Sequence, residues 1–207
     1  MALALPITGL VAAYLLGSTP NAWIAGKLLR GIDLRQHGSG NLGATNVQRI
    51  LGTPAAIAVL LLDTAKGALP ALLFASLFRA GSSPWWAIGF GIAAIAGHVR
   101  PYFGLFKGGG KGVATSGGVF AAIAPAAFAV GFLVVACTVA ITRYVSLASM
   151  AGAVAICLAS MTFYGVRSPL SIVSLVVAAF VIWNHRANIG RLRRGEEARL
   201  GQRARPA

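Results

Sequence analysis

Four short segments hold nearly all the residues of this chain whose types and spacing could do chemistry. The first is Gly38-Ser39-Gly40-Asn41-Leu42-Gly43-Ala44-Thr45-Asn46, followed by Arg49. Glycines let consecutive backbone N–H groups turn towards one anion. Ser39, Asn41, Thr45 and Asn46 add neutral side-chain donors. Arg49 lies four residues after Thr45 and three after Asn46, so a helix opening here puts all three on one side. A glycine loop that opens a helix is a ready anion site. The string matches G-x-G-x-x-G at Gly38, Gly40 and Gly43, but no strand precedes it and no βαβ unit holds it, so a dinucleotide site is rejected. The competing reading is an ordinary glycine-rich turn between helices.

The second segment is Phe106-Lys107-Gly108-Gly109-Gly110-Lys111-Gly112-Val113-Ala114-Thr115-Ser116. A P-loop would need Gly where Leu105 stands and Ser or Thr where Gly112 stands, so this is not one. Two lysines around three glycines, leading into a helix with Thr115 and Ser116, still suit a phosphate. The alternative role for the lysines is anchoring at a membrane surface. Just upstream, Gly97-His98 ends an apolar run, and a single His there fits packing as well as function. The third segment, Asp63-Thr64-Ala65-Lys66-Gly67, lies inside an apolar run. Asp63 and Lys66 are spaced i, i+3 and can neutralise one another, so a structural pair is favoured over an anion site. The fourth runs from His185 to Glu196, with His185, Asn188 and Arg191 on one helical stripe. Its arginines are explained by anchoring to anionic lipid, whereas His185 and Asn188 are not.

Several chemistries are poorly supported. The chain has only four acids, too few for dinuclear metal or paired-carboxylate mechanisms. No His has Asp five positions on, and no G-x-S-x-G elbow occurs. Three His and two Cys at unrelated spacings form no zinc pattern. Cys137 and Cys157 read as small buried hydrophobes.

These segments need elements to position them, and composition names the class. Of the 207 residues, 57% are hydrophobic and 11% charged, and the mean hydropathy is +0.77. A soluble domain averages about 25% charged residues, so neither a soluble globule nor disorder fits. The net charge of +14 would suggest nucleic acid in a soluble protein. Here the basic residues sit between apolar runs, so no nucleic-acid partner is expected.

The apolar runs are 4–26, 54–78, 84–99, 113–141, 145–164 and 169–184. The first is too long for a signal sequence and reads as a retained helix, broken or kinked at Gly17-Ser18-Thr19-Pro20. As one straight helix, 113–141 would be about 43 Å long, against a hydrocarbon core of about 30 Å. Pro125 can divide it. With that division, 15 of the 18 Lys and Arg fall on one side of the membrane; without it the asymmetry is lost. The positive-inside rule therefore predicts an all-α membrane protein with seven transmembrane helices, N-terminus outside and C-terminus cytoplasmic. It forms a single membrane-embedded domain over 1–207. Segments 33–49, 97–116 and 184–197 then share the cytoplasmic side with a basic tail, 186–207.

Taken together and in order, these motifs resemble the bacterial acyl-phosphate:glycerol-3-phosphate acyltransferases, the PlsY family. The resemblance rests on Gly17-Ser18 with Pro20, Gly38 to Asn46 with Arg49, Asp63 with Lys66-Gly67, and Gly97-His98 with Pro101. It continues through Gly109 to Thr115, then His185-Arg186, Asn188-Ile189, Arg191-Leu192, Gly195 and Glu196. The chain departs from the family pattern in having three glycines between Lys107 and Lys111, and in Asn184 where a basic residue is usual.

The resemblance implies a multi-pass enzyme of the bacterial inner membrane. It would move an acyl group from acyl phosphate to the 1-hydroxyl of glycerol 3-phosphate, giving lysophosphatidic acid and phosphate for phospholipid synthesis, without metal or cofactor. Implied catalytic residues are Ser39, Lys111, His185 and Asn188. Implied substrate-binding residues are Gly38, Gly40, Asn41, Gly43, Thr45, Asn46, Arg49, Lys107, Gly109 and Gly110. Membrane lipid and a soluble acyl-phosphate-forming enzyme are the further expected partners. Two rival readings remain. A transporter of a phosphorylated solute would use broken helices in the same way, but it predicts inverted repeats that the chain does not show. A lipid-binding scaffold leaves Asn41, Thr45, Asn46 and Asn188 unexplained.

Overall fold

The structure, a computed structural model, describes residues 3–104 and 108–202. Among these residues every regular element is helical. The chain forms two compact units that meet at Ile123 and Ala124.

The first unit holds α1 (Ala4–Gly17), α2 (Asn21–Arg30), α3 (Ala44–Leu51), α4 (Thr53–Leu77), α5 (Pro84–Val99) and α6 (Val113–Ile123). Single 3₁₀ turns occupy Leu34–Gln36 and Tyr102–Gly104. Proline sets several helix starts, because its missing N–H is unneeded in the first turn. Pro54 opens α4, Pro84 opens α5, and in the second unit Pro125 and Pro169 open α7 and α9. The expected break at Gly17 to Pro20 is real: α1 stops at Gly17 and α2 starts at Asn21. It is a full interruption, so the run 4–26 is two helices. At 14 residues, α1 is about 21 Å long.

Close helix crossings organise this unit. A Cβ at Gly17 would run into the Ala94 carbonyl, and one at Gly97 into the Tyr14 carbonyl, where α1 crosses α5. A Cβ at Gly67 would strike the Thr115 carbonyl, and one at Gly118 the Thr64 carbonyl, where α4 crosses α6. Small residues that let backbones touch are the usual means of joining helices in lipid, where the hydrophobic effect gives no drive. A small apolar core of Ala22, Leu34, Leu42, Val47, Ala56 and Val59 underlies the first glycine loop.

The second unit holds α7 (Pro125–Thr142), α8 (Val145–Tyr164), α9 (Pro169–Asn184) and α10 (Arg186–Arg193). The division of 113–141 at Pro125 is present, with Ala124 outside both helices. Gly131 and Gly152 bring α7 and α8 together. Ser168 caps α9 by accepting the Ser171 N–H at 3.2 Å. α9 and α10 meet at a 57° bend at His185. Cys157 is buried as expected, but Cys137 faces outwards on α7.

Three helices, α4, α7 and α8, are long and apolar enough to cross a membrane; α9 with α10 is a fourth candidate if the bent pair is one span, and α5 and α6 are shorter apolar helices. Their outer faces are apolar: Leu61 on α4, Leu133 on α7 and Leu158 on α8 are each about 60% exposed, which suits lipid rather than water. The α4–α6 crossing gives a prediction. Gly118→Val forces its side chain into the Thr64 carbonyl and should lower stability by about 1–3 kcal/mol, the usual cost of overpacking, read as a lower melting temperature in detergent.

Candidate active site

The first glycine loop is shaped from within. Asn46, in α3 and 2% exposed, accepts the Ser39 N–H on Oδ1 at 2.9 Å and donates Nδ2 to the carbonyls of His37 at 3.1 Å and Leu34 at 3.3 Å. Both of its amide donors are therefore engaged. Asn46 was expected among the direct donors to a ligand; in the structure it holds the loop. Gly38 and Gly40 both have positive φ, +61° and +69°, a region open to glycine at no steric cost. A Cβ at Gly38 would also collide with the Asn46 Oδ1. The Gly40 N–H is bonded to the His37 carbonyl at 3.1 Å. Two loop amides, those of Ser39 and Gly40, thus serve the loop itself.

What the loop presents is different. The amides of residues 41 to 45 make no hydrogen bond among the described residues. They lead into α3, whose first N–H groups have no intrahelical partner. The Ser39 side chain stands exposed at the crest, and Thr45 and Arg49 are half-buried on α3 without side-chain partners among the described residues. Beside the loop, Asp33 and Arg35 form a bidentate pair, 2.6 Å at the closest. The guanidinium of Arg35 holds the Asp33 carboxyl down to about 2, so this pair stays ionised. Arg35 is thereby pinned.

The second glycine loop lies against the first. Asn41 Nδ2 donates to the Gly109 carbonyl at 3.4 Å, and a Cβ at Gly108 would meet the Arg35 side chain. Gly109 and Gly110 are packed onto the end of α5: the Gly110 N–H donates to the His98 carbonyl at 3.2 Å. Gly112, at φ +86°, turns the chain into α6. Lys111 is half-buried at this turn. Thr115 Oγ1 and Ser116 Oγ, in the first turn of α6, are buried and make no hydrogen bond. Lys107 lies outside the described residues. The expected Asp63–Lys66 pair exists at 2.8 Å.

The second unit carries the remaining candidates around one carboxylate. His185, 3% exposed, places Nδ1 at 2.8 Å from the Val181 carbonyl. A carbonyl only accepts, so Nδ1 bears the proton, and in the neutral ring Nε2 is the acceptor. Asn188 donates Nδ2 to Glu197 Oε1 at 2.6 Å, and Ser146 donates to the same oxygen at 2.7 Å. Arg191 Nε donates to Glu197 Oε2 at 2.7 Å. Because a carboxylate only accepts, Glu197 fixes which way the Asn188 amide faces.

Glu197 was missed in the sequence, where Glu196 stood in the motif. Glu196 instead forms an exposed pair with Arg194 at 2.7 Å. The available signal was scarcity: two of the chain's four acids are Glu196 and Glu197, and a stripe of His, Asn and Arg needs an acceptor. What hid the choice is the turn at Gly195, φ +68°, which reverses the chain and brings Glu197 back against α10.

Burial opposes ionisation of Glu197, but hydrogen bonds from Ser146, Asn188 and Arg191, with the charge of Arg191, outweigh it and lower its pKa from 4.5. A lowered native pKa stabilises the fold fully above the unfolded value and is lost as pH falls through the native one. Glu197→Gln should therefore cost about 2 kcal/mol near neutral pH, the scale of a buried charged hydrogen-bond acceptor. Its melting temperature should converge on that of wild type as pH drops below 4.5, measured by thermal unfolding across pH.

A family model described as glycerol-3-phosphate acyltransferase matches residues 7–195. A glycerol-3-phosphate acyltransferase of Parasynechococcus marenigrum (strain WH8102) is 46% identical over 196 residues, covering 94% of this chain and 90% of that protein. One from Bacillus cereus (strain G9842) is 45% identical over 183 residues, covering 88% of each. The crystal structure of PlsY, an integral membrane glycerol 3-phosphate acyltransferase, in its glycerol 3-phosphate form is similar at a TM-score of 0.83 and 39% identity, over 95% of this chain and 96% of that one. Its lysophosphatidic acid form is equally similar. With the model matching nearly its whole length and relatives above 40% identity, the chain belongs to the glycerol-3-phosphate acyltransferase family.

Proposed function

We propose that this chain transfers a fatty acyl group from acyl phosphate to the 1-hydroxyl of glycerol 3-phosphate, releasing lysophosphatidic acid and phosphate. The observation that carries the reading is the pair of glycine loops joined through Asn41 and Gly109, with unbonded amides, Ser39 and Arg49 at the first and Lys111 at the second. Both substrates are phosphates, and fixed amides and cations suit them.

The glycine loop with Ser39, Asn41 and Thr45 cradles the phosphoryl group of acyl phosphate. Gly38, Gly40 and Gly43 give the loop its path, and Asn46 positions it. Arg49 and Lys111, with Lys107, hold substrate phosphates, and Gly109 and Gly110 shape the second cradle. His185 and Asn188, their rings and amides set by Val181 and Glu197, position glycerol 3-phosphate. The attacking hydroxyl oxygen forms a bond to the acyl carbonyl carbon. The bond from that carbon to the phosphate oxygen breaks, and phosphate leaves with its electron pair. The hydroxyl proton passes to a phosphate oxygen of the substrates. Acyl phosphate already carries a good leaving group, so no covalent enzyme intermediate is needed; alignment supplies most of the rate.

In the membrane the chain spans seven times, N-terminus outside and C-terminus cytoplasmic, in the bacterial inner membrane. A soluble enzyme that forms acyl phosphate supplies the donor. The charge asymmetry supports this orientation, as does the division of the run 113–141 at Ala124.

Purified protein in lipid should release phosphate from palmitoyl phosphate only when glycerol 3-phosphate is present. Ser39→Ala should lower the rate about 100-fold or more, the scale of one lost oxyanion donor. Failure of folded wild type to make lysophosphatidic acid would sink the reading and turn attention to glycerol phosphate uptake. For topology, single cysteines in a background without Cys137 and Cys157 report sidedness. Ser82→Cys and Val166→Cys should react with an impermeant thiol reagent from outside intact cells, and Gln202→Cys only after the membrane is opened.

A further inference from the structure

A buried polar cluster lies behind the second glycine loop, and the proposed reaction makes no use of it. Asp63 on α4 is 2% exposed, Lys66 5% and His98 on α5 6%. Lys66 Nζ contacts Asp63 Oδ1 at 2.8 Å and donates to the Thr19 carbonyl at 2.8 Å. Asn21 Nδ2 donates to the same Asp63 oxygen at 2.9 Å, and His98 Nδ1 stands 3.7 Å from it. The break between α1 and α2 thus supplies both the Thr19 carbonyl and the Asn21 amide that complete the pair.

The other edge of the His98 ring meets the loop. A Cβ at Gly110 would collide with His98 Nε2, and one at Gly109 with the carbonyl oxygens of His98 and Val99. The Gly110 N–H is bonded to the His98 carbonyl at 3.2 Å. The cavity bounded by Asp63, Lys66, His98 and the two glycines measures about 10 Å³. That is the room of a single water, too little for a phosphate ion with the side chains as they stand. Whatever the cluster does for the reaction, it does through the loop.

We propose that His98, packed beside the Asp63–Lys66–Asn21 cluster, is a positioning residue: it is the seat on which Gly109 and Gly110 rest, and through them it sets the binding of a substrate phosphate. The inference rests on the acyl-transfer reading for its kinetic part only. Gly110 is glycine because the ring occupies the place of a Cβ, and the ring is confined by burial, 6% exposed, beside a charge pair on α4 that is costly to rearrange inside an apolar bundle.

The test is a double-mutant cycle on His98→Ala and Gly110→Ala in the full chain in lipid nanodiscs, with two readouts. Hydrogen exchange over residues 108–116, without substrate, should quicken in His98→Ala while α7 and α8 keep wild-type protection. In steady-state kinetics, His98→Ala should raise KM for one phosphate substrate about tenfold, with a smaller change in kcat. Gly110→Ala should lose about 10- to 100-fold in kcat/KM, the scale of a misplaced binding group. The double variant should recover most of that loss, because the ring that obstructed the new methyl is gone; coupling between contacting residues is what such a cycle isolates. Unchanged exchange in His98→Ala, an unchanged KM, or losses that simply add would overturn the proposal. If His98→Ala does not fold, His98→Gln, which refills part of the volume, carries the same comparison. Because exchange is read without substrate, its result stands whether or not wild type transfers an acyl group.

Discussion

The structure depends on how a chain with four acids neutralises them. Asp33 is paired with Arg35, Asp63 with Lys66, Glu196 with Arg194 and Glu197 with Arg191. A buried charge left alone would cost several kcal/mol, so the two buried acids, Asp63 and Glu197, dictate their surroundings. Asp63 brings together α4, the start of α2 and the end of α5. Glu197 ties Ser146, Asn188 and Arg191 to the residues after Gly195. Both glycine loops and the His185–Asn188 stripe lie next to one of these anchors. Every carboxylate is thus engaged by a basic side chain, and none stands free as a proton acceptor.

Much of this was legible in the sequence, for reasons that differ by feature. The limits of α5, α8 and α9 coincide with apolar runs because proline or glycine marks their ends. Pro125 divided a run that hydropathy alone would have joined, since a helix of that length would overshoot the bilayer. The turn of the loop at Gly38 and Gly40 was readable because glycines at that density mark a backbone that must adopt positive φ. Three features were not legible. The break in the run 4–26 was legible at Gly17 to Pro20, but not that the Thr19 carbonyl exposed there accepts from Lys66. Asn46 and Asn41 are the same residue type in one segment, and only geometry separates the clamp within the first loop from the link to the second. Glu197 and Glu196 are adjacent, and a turn decides between them.

Glycine does three jobs in this fold. At Gly17, Gly67, Gly97, Gly118, Gly131 and Gly152 it lets helices touch backbone to backbone. At Gly38 and Gly40 it permits left-handed turns. At Gly109 and Gly110 it gives way to the end of α5 and the His98 ring. Only the last two uses lie in the candidate site, but the first makes them possible. Short helices such as α6 become rigid only by close crossing, and a loop between short helices is no better defined than they are. Rigid donors are what a phosphate site requires, because an amide already aimed at the anion spends nothing on reorganising as charge moves.

The excess of positive charge has a matching logic. Four basic residues are committed to the acids, and most of the rest lie in loops and the tail. Glycerol 3-phosphate and the acyl phosphate proposed as its partner are both anions, and holding them side by side would be opposed by their own repulsion. In a site screened from water that repulsion is stronger than in bulk. Cations such as Arg49, which has no acidic partner among the described residues, offset it only while they stay unpaired. A chain richer in acids would pair them off. In the proposed reaction the scarcity of carboxylates would therefore serve binding: it would leave the substrates as the negative charges that complete the site.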